Sequence, residues 1–313
     1  MLQQTRVETV IPYFHRFLER FPSAKELAGA ETDEVMALWS GLGYYGRARR
    51  LQAAARAVEA NGEFFPRTAA ELAELPGVGP YTAAAVASIA FGEATPVLDG
   101  NAIRVVSRLD AYSGAATAAR GRRRLLSVAA SLLDAERPGD SNQALMELGA
   151  TVCLPRAPRC GECPLATGCR AAAEGWPESY PRPRRRREIE RQLLVAAVVE
   201  RGGRYLLSRR PRESSLLAGT WEVPWVARKD GVEVEEALGG KYGGGWRLGE
   251  RLGAVRHSIT YRALEVEVHR ADRSEEPAGR KALEKWPLEK WLAPGEIGAT
   301  PVSSLVRKVL KLA

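Results

Sequence analysis

All four cysteines of the chain stand in one short stretch, CLPRAPRCGECPLATGC, as Cys153, Cys160, Cys163 and Cys169. The spacing is C-x6-C-x2-C-x5-C. Four thiolates so grouped suit zinc or a [4Fe–4S] cluster rather than disulfides. Zinc sites usually pair two C-x-x-C knuckles, and here there is one.

A second stretch, ELAELPGVGPYTAAAVASIAFG, reads as helix, tight turn, helix. Gly77 and Gly79 let the backbone turn sharply and approach a ligand closely. Pro80 suits the first helical turn, where its missing N–H is not needed. Amides at the new helix's start then face an anion. A third stretch, TPVLDGNAIRV, reads as an extended run, a turn and a helix. Asp99 in its Asp-Gly step suits a helix cap.

Two different periodicities must position these groups. Up to about residue 170 the apolar residues recur at helical spacing, as in DEVMALWSGLGYYGRARRLQAAARAVEANG, with Gly62 and Gly92 as expected helix stops. GWPESYPRPRRRREIE is rich in proline and arginine and reads as a linker over 171–190. From there the period becomes strand-like, and ERGGRY between two apolar runs predicts a hairpin. The first residues, MLQQTRVETVIPYFHRFLERFPS, read as an amphipathic helix already under way at its first residue, uncapped, with Pro12 inside it. The formal charge is +8 and permits a polyanionic partner. With 38 arginines against eight lysines, much of that charge reflects a compositional bias. No apolar run is long enough to span a bilayer and the start is not a signal peptide, so a cytoplasmic protein without a membrane partner is expected.

The cysteine spacing resembles the cluster loop of the endonuclease III superfamily, and LPGVGPYTA resembles the helix-hairpin-helix that grips a DNA phosphate. With MLQQT, LWSGLGYYGRARRL, VLDGNAIRV and NQALMELGA in the same order, the chain resembles the MutY-type adenine DNA glycosylases, which remove adenine mispaired with 8-oxoguanine. The resemblance implies a mainly α helix-hairpin-helix glycosylase domain with an iron–sulfur loop (1–170). A smaller α+β Nudix-like domain (191–313) that reads 8-oxoguanine follows. It implies a [4Fe–4S] cluster on the four cysteines and a monomer acting on mismatched duplex DNA. Relatives that also cut the strand carry a lysine where this chain has Tyr81, and tyrosine forms no imine, so base removal without lyase chemistry is expected.

Residue by residue, the resemblance makes Asp99 the carboxylate that stabilises an oxocarbenium-like sugar, with Tyr81 and Asn101 around the sugar and its phosphate. Gln3, Gln4 and Tyr44 match intercalating and gap-filling residues, since a stacked base must be extruded and replaced. Either Tyr44 or Tyr45 is expected to pack instead. Arg47 is expected near the DNA backbone, and Gln143 matches a position that contacts adenine. The family's general-acid glutamate falls two residues before Met1, and Glu8, about 13–14 Å along a helix from that place, cannot take its role. The chain as written is therefore expected to excise slowly.

In the second domain, VEVEEALGGKYG has Glu233, Glu235 and Glu236 but no Arg-Glu pair, which argues against pyrophosphate hydrolysis. The family's Phe-Ser-His contact with 8-oxoguanine falls here on Ile259, Thr260 and Tyr261. Thr260 keeps a hydroxyl, and His257 and Ser258 are neighbours. A non-catalytic lesion-binding protein would share every one of these motifs. An endonuclease III-like lyase is opposed by Tyr81 and by the second domain.

Overall fold

The computed structural model describes residues 1–2, 5–62, 64–182, 188–214, 216–274 and 288–313. Its contacts divide the chain into two compact units, Met1–Arg56 with Arg187–Ala313, and Ala57–Arg186.

In the first unit, α1 (Val7–Arg20) buries Val10 and Phe17. The Phe17 ring meets Phe21 and Trp39 edge-on, with centroids 5.0 and 5.9 Å away. The expected helix from the first residue is corrected: it begins at Val7. Met1 and Thr5, ahead of it, are tied to Arg47. Arg47 donates to Met1 O at 2.7 Å and to Thr5 Oγ1 at 3.0 Å. Two short helices, α2 (Ala24–Gly29) and α3 (Thr32–Leu38), lead to α4 (Gly46–Ala60). Buried Gln52 on α4 ties them together, donating to Ala30 O at 2.7 Å and accepting from Thr32 at 3.0 Å.

The rest of this unit is α+β, as expected. Strand β1 (Glu190–Val198) pairs in parallel with β7 (Arg262–Arg273) and antiparallel with β5 (Trp225–Ala227). Strand β6 (Trp246–Ile259) completes that sheet. The last five residues of β1 are buried in succession, as a strand covered on both faces requires. In the second sheet, β3 (Arg204–Arg209) lies between β4 (Trp221–Glu222) and β8 (Glu289–Leu292), with β2 (Glu200–Arg201) pairing its start. Gly202 and Gly203, at φ 56° and 72°, make the two-residue turn that ERGGRY predicts. Helices α10 (Val234–Tyr242) and α11 (Ser304–Val309) cover the sheets' apolar faces.

This unit also joins the first helices to the second half of the chain. Tyr45 and Ser40 hydroxyls donate to Val302 O at 2.7 and 3.1 Å, and Arg307 donates to Ser40 Oγ at 3.1 Å.

The second unit is helical. α5 (Ala69–Glu74) opens with a Thr68/Glu71 capping box. α6 (Pro80–Phe91) has Pro80 at its first position and ends on left-handed Gly92, while Gly62 is left-handed just beyond α4. α7 (Gly100–Leu109) packs Ala102, Val105 and Val106 against Leu125 and Ala129 of α8 (Ala119–Ser131) and Leu145 of α9 (Pro138–Thr151). No described helix is long and apolar enough to cross a membrane.

Candidate active site

The site within the helical unit starts from α7. Asp99 is its N-cap, accepting from Ala102 N at 2.6 Å, so its carboxylate is held at a helix start where negative charge is favoured. The extended run leading into it is anchored from α9. Asn142, buried, accepts from Val97 N at 3.1 Å and donates to Thr95 O and to Ser88 Oγ, both at 2.9 Å. Sequence reasoning passed over Asn142 and singled out its neighbour Gln143. Gln143 is exposed and donates back to Gly139 O in its own helix, a geometry that leaves it accessible to a ligand.

Tyr81 sits half-buried in the first turn of α6, its hydroxyl 3.4 Å from Met146 Sδ. Burial, reinforced by the nearby Asp99 carboxylate, pushes its phenol up from the ordinary value. Tyr81 and Asp99 are thus within electrostatic reach of one another, and Tyr81 stays protonated. The hairpin's two glycines differ. Gly77 needs the absence of a side chain, at φ 79°. Gly79 has an extended backbone, and a Cβ there would meet nothing within 4 Å. Space at position 79 is therefore open on the side where a Cβ would stand.

Asn101, on the first turn of α7, accepts from Arg104 at 2.9 Å. Arg104 in turn donates to Cys153 O at 2.7 Å and to Gly149 O. One turn on, Arg108 is buried and donates to Leu154 O at 2.7 Å, Tyr180 O at 3.0 Å, Pro155 O at 3.1 Å and Cys153 Sγ at 3.3 Å. Neither arginine was expected from the sequence. Their i, i+4 spacing is the signal that could have found them, since it places both on one face.

The four cysteines are free and partly buried. Burial, followed by Cys169, Cys153 and Cys163, pushes the Cys160 thiol up, while Arg108 opposes the shift. Among the described residues no three His, Cys, Asp or Glu side chains converge on a single metal ion. Four thiols in one short loop are a donor set of the chemistry that zinc or an iron–sulfur cluster takes.

In the other unit, Tyr44 and Tyr45 divide as expected. Tyr45 is 4% exposed, and Tyr44 is 53% exposed at φ 49°. Arg47, expected near the DNA backbone, is hydrogen-bonded within the protein. Beyond Met1 and Thr5 it donates to Leu42 O and Gly43 O, both at 3.3 Å, and its guanidinium is turned inward beneath the Tyr44 turn. Gln3 and Gln4 lie outside the described residues. Thr260, exposed at φ 57°, is in the two-residue turn joining β6 to β7, and its hydroxyl donates to Ile259 O at 2.6 Å. His257 is half-buried, and burial followed by the Lys308 charge lowers its pKa.

Residues 1–130 match the HhH-GPD superfamily of base excision DNA repair proteins, and residues 194–312 match the NUDIX domain. A solved thermostable thymine-DNA glycosylase superposes on 55% of this chain and 80% of its own, with a TM-score of 0.50 and 28% identity. Hairpin, capping carboxylate and cysteine loop therefore define a helix-hairpin-helix base-excision repair glycosylase. The whole chain aligns with the mouse adenine DNA glycosylase at 37% identity, covering 70% of that protein, and with the human one at 35%, covering 66%. The chain belongs to the adenine DNA glycosylase family.

Proposed function

We propose that the protein hydrolyses the N-glycosidic bond of adenine opposite 8-oxoguanine or guanine in duplex DNA, and leaves the strand uncut. The observation that carries this reading is Asp99, a helix-capping carboxylate held beside Tyr81 at the hairpin. As the bond to adenine breaks, positive charge develops on the sugar, and Asp99 stabilises it electrostatically. Tyr81 and Asn101 flank the sugar and its phosphate. Tyr81 offers no amine, so no imine to the sugar forms. Gly77 and Gly79 bring hairpin amides to a DNA phosphate. Exposed Tyr44 fills the gap left by the extruded base, with Gln3 and Gln4 assigned beside it. Arg47 holds the Tyr44 turn. Gln143 contacts the adenine. Thr260 and His257 serve the reading of 8-oxoguanine within the domain 191–313, joined by the linker 171–190 to the glycosylase domain 1–170.

Cys153, Cys160, Cys163 and Cys169 would hold a [4Fe–4S] cluster, which when bound braces the loop carrying Arg156 and Arg159. The protein works as a cytoplasmic monomer on DNA. No residue is assigned to protonation of the base.

Fluorescence anisotropy with defined duplexes tests the reading. Adenine opposite 8-oxoguanine should bind at least tenfold tighter than adenine opposite thymine, and Asp99→Asn should retain that preference while abolishing any excision. Equal affinity for the two duplexes would remove the mismatch assignment.

A further inference from the structure

The stretch GYYGRARRL supplies three arginines to the start of α4, and only one of them is bonded to the protein. Arg47 donates to backbone carbonyls. Arg49 is half-buried and Arg50 is exposed. A Cβ on Gly46 would stand 3.7 Å from Arg50 Nη2, so Arg50 folds back along α4 toward the exposed Tyr44 turn. A Cβ on Gly219 would stand 3.6 Å from Arg49 Nη1, so Arg49 lies against the loop 210–220 of the α+β half.

That loop is fixed in place. Arg210 N donates to Thr220 O at 2.9 Å and Gly219 N to Arg210 O at 3.2 Å, which closes its base. Leu217, within it, packs against the buried cluster that contains Phe17 and Trp39. The Asp33–Arg209 ion pair holds the same junction. The loop carries a further exposed arginine, Arg212. Burial lowers the Arg49 pKa, and the charges of Arg50 and Arg212 lower it further, so three like charges meet here. Among the described residues, no hydrogen bond or ion pair engages any of these three guanidinium groups. Glu213, next in the chain, is exposed and pairs with none of them.

Like charges held together without a counter-ion repel, and burial of one of them removes water that would screen it. An arginine fork matches the oxygens of a phosphate. Phosphates follow one another along a DNA strand, so one strand can engage several forks.

We propose that Arg49, Arg50 and Arg212 form a clamp for the DNA backbone, taking phosphates beside the base step that Tyr44 enters. The clamp joins α4 to the loop 210–220, so the second half of the chain grips the strand as well as reading a base. It rests on the duplex-DNA reading above, and salt dependence tests it apart from mismatch preference.

The experiment is fluorescence anisotropy of the full chain across a salt series, with adenine opposite 8-oxoguanine in one duplex and opposite thymine in another. Arg50 and Arg212 are exposed, so Arg50→Gln and Arg212→Gln should fold as the native chain does. Each should weaken both duplexes equally, about fivefold or more, and lower the slope of log affinity against log salt by about 0.9, one phosphate contact. Arg212→Lys keeps the charge and should keep the salt slope while losing part of the affinity. Unchanged affinity and slope in both glutamine variants would overturn the proposal, even if the native chain prefers the mismatch. A loss confined to the mismatched duplex would mean a base contact and would overturn it as well. So would saturable binding of inorganic phosphate that both glutamine variants lose while their DNA affinity and slope stay intact, since that describes a small-anion site.

Discussion

Asn142 shows how much one side chain can decide at this site. Its amide joins α6, the extended run before Asp99 and α9 through three hydrogen bonds. Asn142→Ala strands the buried Val97 N–H and Thr95 carbonyl. Loss of about 2–3 kcal/mol in urea unfolding is expected, together with weaker positioning of Asp99. Tyr81 tests the reaction class. On a duplex with a preformed abasic site, borohydride should trap no covalent complex with the native chain. Tyr81→Lys should yield one, because a lysine there supplies the missing amine. Trapping by the native protein would overturn the monofunctional assignment. Lys241 carries a pH signature. Burial pushes its amine down to about 8 from 10.5, although Glu222 opposes the shift. The unfolded chain therefore holds this proton more tightly. The group's burial penalty is fully present below pH 8, and its relief makes stability rise with pH between about 8 and 10.5. Urea midpoints of the native chain should show a rise between pH 8 and 10 that Lys241→Met lacks.

Among the elements, α7 links the candidate chemistry to the cysteine loop. Its start bears Asp99 and Asn101, and its later turns bear Arg104 and Arg108, which hold the backbone at 149 and 153–155. α9 must lie close for this to work. A Cβ on Gly149 would stand 2.7 Å from the Asn101 Cβ, so Gly149→Ala should part the helices and destabilise the unit. Arg108→Ala should lower the iron content of purified protein and its broad absorbance near ~400 nm, since the loop loses its clamp. The hairpin separates folding from binding. Gly77→Ala should cost about 1 kcal/mol, because φ 79° suits only glycine. Gly79→Val should leave the unfolding midpoint almost unchanged, the Cβ meeting nothing within 4 Å, and should weaken DNA binding about tenfold if the proposed phosphate contact is made there. A Gly79 variant with full DNA affinity would remove the hairpin from the interface.

At the scale of the molecule, the first 56 residues pack with the second half of the chain rather than with the residues that follow them in sequence. The buried hydroxyls of Tyr45 and Ser40 on Val302 O are one such tie, and the Asp33–Arg209 ion pair is another.

What the sequence determined by itself was local chemistry. The Asp99 cap, the left-handed stops at Gly62 and Gly92, the ERGGRY turn and the helix-turn-helix around Gly77 depend on a few adjacent residues and their φ angles. The cysteine spacing is equally local, and the change from helical to strand period marks where the chain passes from helices to an α+β arrangement. The tertiary structure decided which way side chains face. It turned Arg47 inward, buried Tyr45 and exposed Tyr44, and started α1 at Val7. It also gave Asn142 the structural bonds while leaving Gln143 on the surface, and hid Glu222 beside Arg210. Each of those outcomes depends on partners distant along the chain, which composition and periodicity do not encode. A polar residue's fate is set by whether a complementary group arrives to satisfy it once water is excluded.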